Sequence, residues 1–240
     1  MQANPASRKK IGIITGSGPE AGIDMWSKLL AANREIHGNR FRGDLDAPDV
    51  AILSESTLGL SMELAQNDRA VWQCLQQAAE AIAQRVDYYA IACNTLNYYQ
   101  PRLEALQLPA TLVSFADAVS DYLTEHRIER VALLGARPVT DLGPWSHYRA
   151  LVEHVHIELP KPALAAQLHQ LIYDVKTHGG NDAGIRRRFA EILCGLESQT
   201  VLLACTELPL IPIDAGGRQV VDVTDLVARK LARLANGMQQ

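Results

Sequence analysis

Ala90-Ile91-Ala92-Cys93-Asn94-Thr95 and Leu202-Leu203-Ala204-Cys205-Thr206-Glu207 each run from a short apolar stretch straight into a cysteine and then into polar residues. A short apolar run that ends in helix-capping residues is a buried strand reaching the carboxyl edge of a parallel sheet, where α/β proteins place their ligands. Outward from these two stretches the same rhythm continues. Strand-like runs occur at 10–15, 50–54, 88–92, 110–113, 130–134, 155–158, 200–204 and 220–222. Segments with helical periodicity lie between them, at 20–36, 68–85, 163–177, 184–196 and 224–235. Alternating strands and helices with apolar strands predict an α/β fold whose parallel sheets are covered on both faces.

A faint internal repeat overlies this rhythm. Ile11-Gly12-Ile13-Ile14-Thr15-Gly16 is similar to Val131-Ala132-Leu133-Leu134-Gly135, and Cys93 has its counterpart in Cys205. Ser114-Phe115-Ala116-Asp117-Ala118-Val119 matches Asp222-Val223-Thr224-Asp225-Leu226-Val227. Three matches in the same order, at a nearly constant offset, predict two pseudo-symmetric lobes with a site in the cleft between them. Residues 9–115 together with 221–240 then form an N-terminal lobe carrying Cys93, and residues 116–220 a C-terminal lobe carrying Cys205.

Composition bounds the setting. Apolar residues make up 48% of the 240 and charged residues 21%, the balance of an ordinary globular protein. A net charge of −4 provides no polybasic footprint for nucleic acid. No apolar run approaches the length of a membrane span, and the N-terminus lacks the apolar core of a signal peptide, so the expected compartment is the cytoplasm. The first eight or so residues read as a disordered lead-in. Four cysteines without a CxxC suggest reduced thiols rather than a disulfide framework or a zinc site, and nothing in the residues asks for a metal.

Cys93 and Cys205 are the candidate catalytic residues. Asn94-Thr95 and Thr206-Glu207 can open a helix, and the N–H groups there favour a thiolate. One ionised thiol facing one neutral thiol could remove a proton from one face of a carbon and return one to the other. Cys74 and Cys194 fall inside helical patterns and are assigned to core packing. The turn Gly16-Ser17-Gly18-Pro19-Glu20-Ala21-Gly22 opens the first helix and is suited to an anion. Its spacing also admits a dinucleotide, but Glu20 would set a negative charge where the pyrophosphate sits, and a substrate carboxylate fits better. Arg137 and Thr140, after the fifth strand, either line the same cleft or belong to an ordinary loop and helix cap. The histidines lack ligand spacing and read as surface or packing residues.

With these motifs together, the chain resembles the aspartate/glutamate racemase family from Ile11 to about Leu234. Cys93-Asn94-Thr95, Cys205-Thr206-Glu207-Leu208-Pro209, the glycine turn and Val131–Arg137 carry the resemblance. It implies a racemase free of pyridoxal phosphate and metal, active on a small amino acid and commonly a homodimer. It casts Cys93 and Cys205 as paired bases, with Asn94, Thr95 and Thr206 on the substrate carboxylate. Gly16, Ser17, Glu207, Arg137 and Thr140 join them as substrate-binding candidates. Some positions depart from the family pattern. Asn97 stands where many relatives have histidine, Ser17 replaces a common methionine, Ser54–Leu60 lacks an arginine that grips an acidic side chain, and no lysine occurs around Gln167. These departures leave the side-chain specificity open and favour a neutral or differently charged amino acid. Two further readings stay in play: another cysteine chemistry of the superfamily (hydantoin racemisation, maleate isomerisation or arylmalonate decarboxylation), and a two-lobed small-ligand binding protein. A thiol redox protein would need the two sulfurs within disulfide reach.

Overall fold

The computed structural model describes residues 8–212 and 216–238; the expected lead-in falls almost wholly outside them. Among the described residues eight strands form two separate four-stranded sheets, both wholly parallel. The first has the order β2-β1-β3-β4, built from β1 (Ile11–Thr15), β2 (Val50–Ser54), β3 (Tyr88–Ile91) and β4 (Thr111–Leu112). The second repeats it as β6-β5-β7-β8, from β5 (Arg130–Gly135), β6 (His156–Glu158), β7 (Thr200–Ala204) and β8 (Gln219–Asp222). Each predicted strand is present. The matching strand order gives the repeat a structural meaning, because Cys93 and Cys205 follow β3 and β7, which hold the same place in their sheets.

The third repeated motif marks corresponding helix starts. The Ser114 hydroxyl accepts a hydrogen bond from the Asp117 N–H and caps α4 (Phe115–Glu125). The Asp222 carboxylate accepts from the N–H groups of Thr224 and Asp225 and caps the final helix, α8 (Val223–Ala235). Such side-chain acceptors satisfy the N–H groups that a helix start leaves orphaned. The longer helices α1 (Pro19–His37), α2 (Leu64–Ala83), α6 (Pro162–His178) and α7 (Ala183–Cys194) cover the sheets, with two short ones, α3 (Gln100–Glu104) and α5 (Arg137–Thr140), between them.

Strand alternation sorts the core into three parts. Ile11, Ile13, Ala90 and Ala92 of the first sheet share one apolar cluster with Val131, Leu133, Leu202 and Ala204 of the second, filled by α1, α4 and α8. This shared core joins the lobes. The opposite parity faces outward: Ile14, Tyr89 and Ile91 pack under α2, while Ala132, Leu134, Val201 and Leu203 pack under α6 and α7. Cys93 and Cys205 continue this outward parity, one in each outer core.

The dividing line placed between residues 220 and 221 runs through β8, all four residues of which pair with β7. β8 also meets the first lobe's helices, through the Asp222–Lys28 ion pair with α1 and the Gln219–Tyr122 hydrogen bond with α4, and α8 then packs on both. Cys194 does not pack into the core; it ends α7 and is exposed, and Cys74 is half-buried. A cysteine at the last position of a helix lies where the apolar stripe turns away from the sheet, which periodicity alone does not reveal. No helix among the described residues is long and apolar enough to cross a membrane.

Candidate active site

The polypeptide turns sharply after β1. Gly16 and Gly18 have φ of 117° and 126°, in the region open to glycine. A Cβ on Gly16 would lie 2.1 Å from the Glu55 carbonyl oxygen, and one on Gly18 would lie 2.2 Å from Glu207 Oε1. The turn therefore rests on β2 on one side and on a carboxylate of the other lobe on the other. Between its two glycines it presents Ser17, which is buried.

Ser17 meets the first thiol. Cys93 Sγ donates to Ser17 Oγ at 3.3 Å, and Ser61 Oγ lies 2.7 Å from Ser17 Oγ and 3.8 Å from the sulfur. The second thiol meets a charge. Cys205 Sγ donates to Glu207 Oε2 at 3.0 Å, and the Thr206 hydroxyl donates to the same oxygen at 3.3 Å. The other oxygen, Glu207 Oε1, pairs with Lys176 Nζ, which also donates to the carbonyl of Ser17. An unbroken series of polar contacts thus links Cys205, Glu207, Lys176, Ser17 and Cys93 across the two lobes.

The thiols are 7% and 6% exposed, behind Ser17 and Glu207. Burial first, and then the Glu207 charge, push the Cys205 thiol well above its ordinary value; Lys176 and the Glu207 N–H oppose them. Burial works against the Lys176 charge, but Glu207 and, more weakly, both cysteines hold its pKa above the usual lysine value. One ammonium therefore acts on both sulfurs.

Asn94 is buried, and its Oδ1 accepts from the Tyr148 hydroxyl at 2.7 Å. Among the described residues its Nδ2 has no hydrogen-bond partner, a costly state for a buried amide that a ligand oxygen would relieve. Thr95 and Thr206 are also buried beside their cysteines, and Thr206 Oγ1 reaches the Ala92 carbonyl across the lobes at 3.4 Å. Asn97 is structural: its Nδ2 donates to the Cys93 carbonyl at 2.9 Å, and its Oδ1 accepts from the Phe115 N–H at 3.0 Å. It fixes the end of β3 to the start of α4.

Of the expected site residues, Gly16, Ser17 and Glu207 line an interlobe cleft of about 400 Å³, with Gly18, Glu20, Gly59, Lys176 and Leu210. Cys93, Cys205, Asn94, Thr95 and Thr206 are buried and do not line this cleft, and Arg137 and Thr140 stand apart from it. Arg137 lies on a neighbouring depression with Glu63 and Trp145, and the Thr140 hydroxyl turns back to the Ala136 carbonyl of its own helix. Among the described residues no cluster of three or more histidine, cysteine or acidic side chains could hold a metal.

Sequence reasoning missed Lys176. No lysine stands around Gln167, and Lys176 lies two and a half turns further along α6. Its signal was present, since His169, Tyr173 and Lys176 recur at helical spacing on one face of α6. That face reaches the first lobe three times: His169 Nε2 and the Tyr173 hydroxyl meet Glu63 Oε1 at 3.6 and 3.1 Å, and Lys176 meets Ser17. Ser61 and Tyr148 carried no comparable pattern.

A family model described as Asp/Glu/Hydantoin racemase matches residues 14–231. Among solved structures, the chain is similar to an aspartate racemase homologue from Pyrococcus horikoshii, with 25% identity, 95% of this chain and 99% of that one covered, and a TM-score of 0.74. The aspartate racemase of Picrophilus torridus shares 20% identity over 95% and 94% of the two chains, with a TM-score of 0.72. The glutamate racemase of Francisella tularensis, solved with D-glutamate, shares 14% over 97% and 84%, with a TM-score of 0.65. No curated protein matches at comparable significance.

Proposed function

Because the chain belongs to the Asp/Glu/hydantoin racemase family, and so is an isomerase of the racemase kind, we propose that it interconverts L- and D-amino acids by α-proton transfer between Cys93 and Cys205, without a cofactor. The observation that carries this reading is the series of contacts joining the two thiols through Glu207, Lys176 and Ser17. Two equivalent strand ends, one from each lobe, bring their sulfurs to the same polar network.

The surroundings of Cys205 support one order of events. Burial and the Glu207 charge favour its thiol form, which suits it to the part of proton donor in the first step. Cys93 removes the α-proton from one face of the substrate while the Cys205 thiol delivers its proton to the other. The product leaves with inverted configuration, Cys93 protonated and Cys205 a thiolate. Lys176 and the Glu207 N–H stabilise that thiolate, and the return reaction restores the first state. Asn94 Nδ2, with Thr95 and Thr206, receives the substrate carboxylate as negative charge grows in the transition state. Without an electron sink, these donors and exclusion of water have to lower most of the barrier. A homodimer in the cytoplasm is the assembly and setting proposed with this activity.

Proton NMR in D2O with L-amino acids tests it. The wild type loses the α-proton signal as the D-enantiomer appears, and Cys93→Ser and Cys205→Ser each reduce racemisation by at least about 1,000-fold. Full turnover by Cys205→Ser would overturn the paired mechanism.

A further inference from the structure

The interlobe cleft is lined by two carboxylates, Glu20 and Glu207, and one ammonium, Lys176. Lys176 has one donor left for a ligand and is otherwise committed within the protein. It pairs with Glu207 Oε1 and donates to the Ser17 carbonyl, so two of its three donors are engaged. Glu207 is itself 3% exposed, and among the described residues no other cation pairs with it. A ligand carboxylate on the third donor would share one ammonium with Glu207, and one that drew Lys176 away would leave Glu207 buried as an uncompensated charge, which is far more costly than the new contact returns. At the cleft's edge, Glu20 sits in the first turn of α1 and offsets the positive end of that helix. Arg137, the other cation near this region, lines a separate depression beside Glu63.

The α-ammonium and α-carboxylate of an amino acid balance each other, so a zwitterion enters this cleft without changing its charge. A side-chain carboxylate adds a second uncompensated negative charge to a lining that already carries one. The apolar or small lining residues Pro19, Ala21, Gly59, Val175 and Leu210 provide surface for a side chain without a carboxylate. We infer that the substrate is an amino acid whose side chain carries no negative charge, with the Lys176–Glu207 pair and Glu20 excluding dicarboxylic amino acids. The inference rests on the racemase reading above.

The test compares α-proton exchange in D2O for the wild type across alanine, serine, leucine, lysine, aspartate and glutamate. The expected result is exchange with at least one of the first four, at a kcat/KM about 100-fold or more above aspartate and glutamate. A second arm uses Glu20→Lys, an exposed position. This change reverses the charge at the mouth and raises relative exchange of aspartate over lysine by about tenfold, while a merely structural residue would leave that ratio unmoved. Exchange confined to aspartate or glutamate overturns the inference and leaves the racemase reading standing. Absence of exchange with every amino acid overturns both.

Discussion

Cys93 rests against two serine hydroxyls, whereas Cys205 rests against a buried carboxylate that is itself held by an ammonium. The two sulfurs follow corresponding strands of sheets with the same order, and both face outward into the core of their own lobe. The backbone repeats; the charges do not. A racemase must place its two bases symmetrically about a carbon, yet needs one protonated and one ionised at any moment. In this molecule the fold provides the symmetry and Glu207 breaks it. The neighbours of Cys93 extend this neutral character, because Asn94 is held by Tyr148, against which the ring of His147 lies 3.9 Å away.

The largest effect that separates the two sides is on stability. Lys176→Met leaves Glu207 buried and alone, and lowers unfolding free energy by about 3 kcal/mol or more in urea titrations. The double variant Lys176→Met with Glu207→Leu recovers most of that loss, since an apolar pair of similar volume replaces a buried ion pair at little net cost. On the other side, Ser17→Ala removes a neutral hydroxyl and changes stability by about 1 kcal/mol at most. Equal losses at Lys176 and Ser17 would remove the distinction between a charged and a neutral half.

Much of this was legible in the chain because it rests on local pattern. Eight apolar runs punctuated by capping residues mark eight strands, and Cys93 and Cys205 stand out because each directly follows such a run. Ser114 and Asp222 were visible as a repeated motif and turn out to be the caps of α4 and α8. What stayed hidden depends on the packing of one lobe against the other. Lys176 reads as one more charge near the end of an amphipathic helix until that helix is laid across Ser17. Tyr148 acquires its role only when the loop after β5 brings its hydroxyl to Asn94. Cys194 shows the reverse error, as a residue within an apolar stretch that ends on the surface.

A smaller effect concerns alkaline pH. The folded Cys205 thiol is held above its ordinary value by burial and Glu207, so it keeps its proton where the unfolded chain begins to lose it. The unfolded state then binds fewer protons than the native state, and stability falls as pH rises from the ordinary thiol value of about 8.5. Lys176, raised in the folded state by Glu207 against its own burial, adds to the fall above the ordinary lysine value of about 10.4. Urea titrations of Cys205→Ala across this range lose the first part of the decline and keep the second. Glu207→Gln sharpens the point. In a Cys93→Ala background it lets Cys205 ionise at lower pH, followed by thiolate absorbance, and in the otherwise native enzyme it reduces racemisation by about ten- to a hundredfold. An unchanged Cys205 titration would mean that burial alone, and not Glu207, makes the two thiols unequal.

The smallest effect tests the neutral side. Tyr148 donates to Asn94 Oδ1 and so turns Nδ2, which lacks a partner among the described residues, to where the substrate carboxylate is proposed to lie. Tyr148→Phe keeps the buried ring and removes only that donor, leaving the amide free to rotate and present its oxygen instead. The expected loss is about 1 kcal/mol in carboxylate binding, a five- to tenfold rise in KM with kcat changed less. Because no charge is touched, the Cys205 titration should stay where it is. A shift in that titration would mean that the surroundings of the two thiols are coupled through the substrate site, and the neutral half could then no longer be treated apart from the charged one.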